Sequence, residues 1–86
     1  MLLMISERMS IMVQRRIKLN AADVKGFVEV ASKCDFEIDI AYNRYTVDAK
    51  SILGVLGMDL SQMLTVTYEG YNEAFENFLA RCTLAC

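Results

Sequence analysis

Residues 47–58 read VDAKSILGVLGM, and the parsing of this stretch decides the fold. Val47 and Asp48 finish an extended run, Ala49 and Lys50 turn the chain, and Ser51 stands where a helix N-cap belongs. Ile52, Leu53, Val55 and Leu56 then surround a short helix over Ile52 to Gly57, too apolar all round for an ordinary surface turn. A strand that gives way to a capped helix through a small-residue turn predicts an α/β domain of short elements.

The flanks extend this pattern. Upstream, Phe36, Ile38, Ile40 and Tyr42 alternate with Glu37, Asp39 and Ala41, the period of two that marks a half-buried antiparallel strand. Asn43-Arg44 forms a two-residue turn into a strand over Tyr45 to Val47. Arg44 lacks the freedom of glycine at positive φ, so the turn is expected to be strained or wider than two residues. Downstream, Leu64, Val66 and Tyr68 alternate with Thr65 and Thr67 in a strand from Gln62 to Glu69, closed by Gly70. Asn72 then caps a last helix, in which Ala74, Phe75, Phe78, Leu79 and Cys82 recur at intervals of three and four as far as Thr83.

Towards the start of the chain, Val13, Arg15, Ile17 and Leu19 share one side of a strand over Met12 to Leu19, with Arg15 a misfit suited to an edge. Asn20 and Asp23 have capping-box spacing and open a helix over Ala21 to Lys33, whose apolar face is Val24, Phe27, Val28 and Ala31. Gly26 within it costs about 1 kcal/mol and marks close packing. The order βαββαβα predicts an α+β open-faced sandwich: one mostly antiparallel four-stranded sheet with three helices on one face.

At 86 residues this is one domain, able to bury roughly 60 % of its unfolded surface. A hydrophobic content of 55 % with mean hydropathy +0.28 predicts apolar surface kept for a partner, or else a core rich in the chain's 6 Met. A net charge of −2 offers no basic footprint for nucleic acid, and Arg15, Arg16 and Lys18 read as a solvated face. Cys34, Cys82 and Cys86 are odd in number and lack a CxxC pair, which points to reduced thiols in a cytoplasmic protein, with Cys34 and Cys82 in the core. Residues 1–11 have no clear period and read as a flexible N-terminal extension ahead of a domain over 12–86. Their MLLMI run is too short for a signal peptide, and no stretch approaches a membrane span. There is no histidine at all, which removes phosphohistidine chemistry, histidine triads and histidine-held metals; no metal or other cofactor is expected. Glu37, Asp39, Asp48 and Asp59 are scattered over strands and turns, so no enzyme is expected.

Over residues 12–84 the chain resembles the HPr family, the phosphocarriers of the bacterial sugar phosphotransferase system. Three anchors carry the likeness: FVEVASK at Phe27 to Lys33, VDAKSILGVL at Val47 to Leu56, and the strand followed by Glu-Gly at Leu64 to Gly70. The resemblance implies the same βαββαβα sandwich. The family's active loop reads close to G-L-H-A-R-P-A, and the matching run here is Lys18-Leu19-Asn20-Ala21-Ala22-Asp23-Val24. Asn20 thus holds the histidine position; its amide lone pair is delocalised and cannot accept a phosphoryl group. Ala22 replaces the arginine that would hold phosphate charge, and Asp23 replaces the proline with a repelling carboxylate.

Ser51 matches the serine that, in many members, an ATP-dependent HPr kinase/phosphorylase modifies. In the family that phosphoserine docks a catabolite-control transcription regulator, and by resemblance Ile52, Leu53 and Leu56 would form the docking patch. The run GMDLSQMLT is about two residues shorter than the family's usual turn, lacking its Lys-Gly step. Two readings stand: a regulatory HPr-like protein acting through Ser51 in control of sugar transport, and an interaction or homodimerisation module in which Ser51 only caps a helix.

Overall fold

A computed structural model describes residues 12–84. The predicted extension over 1–11 and Cys86 lie outside the described residues. In chain order the elements are β1 (Val13–Ile17), α1 (Ala21–Ser32), β2 (Ile38–Tyr42), β3 (Tyr45–Asp48), α2 (Ile52–Leu56), β4 (Leu64–Tyr68) and α3 (Glu73–Leu84). Every predicted element is present, and the strands are shorter than their apolar alternation. Leu19 is buried yet follows β1, and Phe36 packs on the core yet precedes β2, because a side chain can pack against the core beyond the last ladder pair; Gln62 and Glu69, which flank β4, are exposed.

The four strands form one antiparallel sheet in the order β1-β4-β2-β3. Period two decides the faces. Ile38, Ile40, Leu64, Val66 and Tyr68 are buried, whereas Gln14, Arg16 and Asp39 on the other side are exposed. The helices cover the buried face, giving a single core. Three aromatic rings hold its centre: Phe75 of α3 lies 6.1 Å from Phe27 of α1 and meets Tyr68 of β4 edge-on at 5.1 Å. Phe36 stacks on the far side of Tyr68 at 5.9 Å. That stack requires a glycine at position 70, where a Cβ would come within 2.3 Å of the Phe36 ring. Gly26 has the role its position suggests, since a Cβ there would press on Phe78 at 3.2 Å where α1 crosses α3.

The β2–β3 turn departs from expectation. It is a two-residue turn, with Tyr42 paired to Tyr45. The positive φ, 57°, falls on Asn43 alone, a residue whose short polar side chain tolerates it, so Arg44 is spared the left-handed region.

Arg15, the misfit of β1, also finds its reason. β1 is an edge strand, and the Arg15 guanidinium donates to Glu76 Oε1 of α3 at 2.5 Å. The hydroxyl of the buried Tyr68 donates to Glu76 Oε2 at 2.6 Å. Burial first, and then the Glu76 carboxylate, push the Tyr68 phenol far above its ordinary value. A phenol held neutral when folded contributes stability that is complete below about pH 10 and declines as pH rises past it, because the unfolded chain then ionises. Tyr68→Phe is therefore expected to flatten the fall of unfolding free energy between pH 10 and 12, by up to about 1.4 kcal/mol per pH unit in urea titrations. An unchanged slope would show that the Tyr68 hydroxyl is not the group lost.

Candidate functional site

Two helix starts carry the residues singled out by sequence. At the first, Asn20 is extended (φ −112°, ψ 171°) and caps α1. Its Oδ1 accepts the Asp23 amide at 3.1 Å, and Asp23 Oδ2 accepts the Asn20 amide at 3.4 Å, closing the capping box. Each side chain at this loop thus satisfies the other's backbone. Ala22 is exposed and offers no polar atom. The cations nearby are engaged elsewhere: the Lys18 ammonium donates to the Ser61 carbonyl at 2.7 Å, and the Arg81 guanidinium lies over the Phe78 ring at 5.1 Å.

At the second start the chain is tied at every step. The Ala49 amide donates to the Ile38 carbonyl at 2.9 Å, carrying the hairpin ladder one residue past β3, and Ala49 is fully buried. The Lys50 amide donates to Asp48 Oδ1 at 2.9 Å, and its ammonium reaches the Cys34 carbonyl at 3.0 Å, past the end of α1. The Ser51 amide donates to the Asp48 carbonyl at 2.9 Å, and Ser51 Oγ accepts the Gly54 amide at 3.1 Å. Gly54 permits this closeness, because a Cβ there would stand 3.2 Å from Ser51 Oγ and 3.3 Å from Val47 Cβ. Ser51 is nevertheless exposed. Its hydroxyl sits on a fixed, accessible turn.

The three apolar residues after it are divided by depth from Val55. Val55 is fully buried and anchors α2 against the core; Leu53 is 80 % exposed, Leu56 47 % and Ile52 41 %. α2 packs on α1, so the two helix starts belong to neighbouring helices on one face of the sheet. Burial raises the thiol pKa of Cys34 and of Cys82, keeping both protonated and unreactive.

Sequence reasoning did not anticipate an open cleft of about 530 Å³ between the hairpin and α2, lined by Tyr42, Tyr45, Val47, Leu53, Gly54, Gly57, Met58 and Asp59. Tyr42 and Tyr45 flank a two-residue turn, and that register alone places both rings on one face, so the signal for one wall was present. The other wall depends on where the chain turns after α2. No helix among the described residues is long and apolar enough to cross a membrane.

A four-stranded antiparallel sheet bearing three helices, two of them opening on exposed polar caps, defines an open-faced α+β sandwich domain. Residues 8–80 match the family model described as PTS HPr component phosphorylation site. The phosphocarrier protein HPr of Bacillus anthracis str. Ames is 33 % identical and superposes with a TM-score of 0.66, the match covering 84 % of this chain and 98 % of that one. HPr-C-His from Thermoanaerobacter tengcongensis is 29 % identical with a TM-score of 0.64, covering 83 % and 88 %. The chain belongs to the HPr family, whose members are phosphocarriers of the phosphotransferase system and work with its other proteins rather than as catalysts.

Proposed function

We propose that this chain is an HPr-family protein that has given up phosphohistidine transfer and acts as a regulatory partner through phosphorylation of Ser51. The observation that carries the reading is chemical: no histidine exists anywhere in the sequence, and the residue matching the acceptor, Asn20, spends its side chain on a helix cap. Asp23 adds a carboxylate where phosphate would have to sit. An exposed Ser51 hydroxyl on a backbone fixed on both sides supports modification by an HPr kinase/phosphorylase. A phosphoryl group there adds about −1.5 to −2 charges beside an apolar face, which changes what Ile52, Leu53 and Leu56 present to a catabolite-control regulator.

Incubation with an HPr kinase and ATP should add one phosphate, stable to acid, and Ser51→Ala should remove it completely. The variant loses an N-cap, a cost of about 1 kcal/mol, and stays folded. Absence of phosphate on the unsubstituted protein, or its persistence in Ser51→Ala, would refute the assignment.

The exposure of Leu53 beside Ile52 and Leu56 favours a second reading, a protein-interaction or homodimerisation module in which Ser51 is only a cap. Sedimentation separates the two. A concentration-dependent dimer weakened by Leu53→Asp, with no kinase labelling, would select the second.

A further inference from the structure

The cleft between the hairpin and α2 adjoins an open sheet edge. β3 ends the strand order and pairs only with β2. In that ladder Tyr42–Tyr45, next to the two-residue turn, exchanges both backbone bonds, and the alternation then leaves Ala41–Thr46 unbonded. The Ala49 amide on the Ile38 carbonyl fixes the same parity from the other end. Thr46 N–H and C=O therefore point away from the sheet, as does the Asp48 N–H, while the Asp48 carbonyl is taken by Ser51. Proteins commonly guard such an edge with lysine, proline or a bulge. β3 carries no lysine, proline or bulge; its guards are its length of four residues and the charge of Asp48, whose Oδ1 is tied to the Lys50 amide, and the lysine closest in sequence, Lys50, is drawn off to the Cys34 carbonyl.

A strand added to this edge would lie about 4.8 Å from β3, with every second side chain turned to the helix side, where the cleft opens. The walls are apolar and aromatic, and Asp59 is the one carboxylate in the lining. Its Oδ1 accepts both the Ser61 hydroxyl at 2.6 Å and the Ser61 amide at 3.1 Å, which hold the group ionised below the usual carboxylate range. Lys18 also faces it, but its ammonium is fixed on the Ser61 carbonyl. An alkyl stem ending in a cation complements this lining: the stem covers Val47, Leu53 and Met58, and the head lies over the tyrosine rings and beside Asp59.

We infer that the β3 edge and its cleft take up an extended segment of a partner protein as a fifth strand, with an arginine or lysine of that segment seated in the cleft against Asp59. The probe is an acetylated, amidated heptapeptide of alternating threonine and valine with arginine at its centre, titrated into the full chain and followed by amide NMR. Shifts should map to Thr46, Asp48, Leu53 and Asp59, and the Thr46 amide should exchange at least about tenfold more slowly. A glutamate-centred peptide should bind at least about tenfold more weakly, and Asp59→Asn should abolish that preference. Thr46→Pro removes only the outward N–H, leaves the β2 ladder intact and should abolish binding of either peptide. Equal binding of the two peptides, shifts confined to other elements, or shifts along β3 on raising protein concentration without peptide would overturn the inference, the last by assigning the edge to a second copy.

Discussion

Phosphoenolpyruvate and enzyme I will leave the unsubstituted chain without acid-labile phosphate, and Asn20→His alone will not restore efficient transfer. The family's phosphohistidine needs an imidazole nitrogen, and the sequence has none to offer. Asn20→His supplies the nucleophile at the matching position but also replaces the amide oxygen that accepts the Asp23 amide, up to about 1 kcal/mol of capping. The barrier is electrostatic as well. Ala22 donates nothing to the phosphoryl oxygens, and the Asp23 carboxylate stays at the helix start. Losing one preorganised donor costs transfer reactions about a hundredfold or more, so the Asn20→His variant should be labelled at least about 100-fold more slowly than one carrying Ala22→Arg as well. The measurement is initial labelling rate at equal protein, with circular dichroism confirming that each variant is folded. Acid-labile label on the unsubstituted chain would overturn the loss of carrier function outright, and equal rates for single and double variants would remove the electrostatic part of the argument.

That prediction uses residues legible in sequence, for a physical reason. Capping is local: Asn20 and Asp23 are three residues apart, and so are Ser51 and Gly54, so spacing alone specifies the bonds that the structure contains. Faces were legible too, because alternation along Ile38, Ile40 and Leu64, Val66, Tyr68 depends only on the pleat. Neighbours were not. Nothing in the alternation says that β4 lies between β1 and β2, and Arg15 remained a misfit until Glu76, 61 residues away, was brought to it. The turn was misjudged because the left-handed backbone was assigned to Arg44 when Asn43 could bear it. The cleft was hidden for a similar reason: Asp59 and Met58 oppose the tyrosines only after the chain folds back from α2, a tertiary event with no local periodicity.

Phe75→Ala should cost about 3–5 kcal/mol in urea unfolding, a large share of the roughly 4–13 kcal/mol available to a domain of this size. Phe75 is fully buried, and its ring joins α3 to Phe27 on the neighbouring helix α1 and to Tyr68 on the sheet strand β4. Its removal leaves a void that Tyr68 cannot fill, because its hydroxyl is held by Glu76 and its other face by Phe36. Tyr71→Ala, at an exposed aromatic only four positions earlier, should change stability by less than about 0.5 kcal/mol. Phe27→Ala combined with Phe75→Ala should cost less than the two separately, since the rings share one contact and the second truncation finds it already gone. The Ser51 turn tests whether the damage stays local. Its ties run to Asp48, Gly54 and Ile38, and Lys50 reaches Cys34, none of them through the Phe75 ring. Below its unfolding transition, Phe75→Ala should therefore accept phosphate from the kinase at the unsubstituted rate. A loss near 1 kcal/mol would show that the three rings are not the centre of the core. A folded variant labelled more slowly would show that the turn and the core move together.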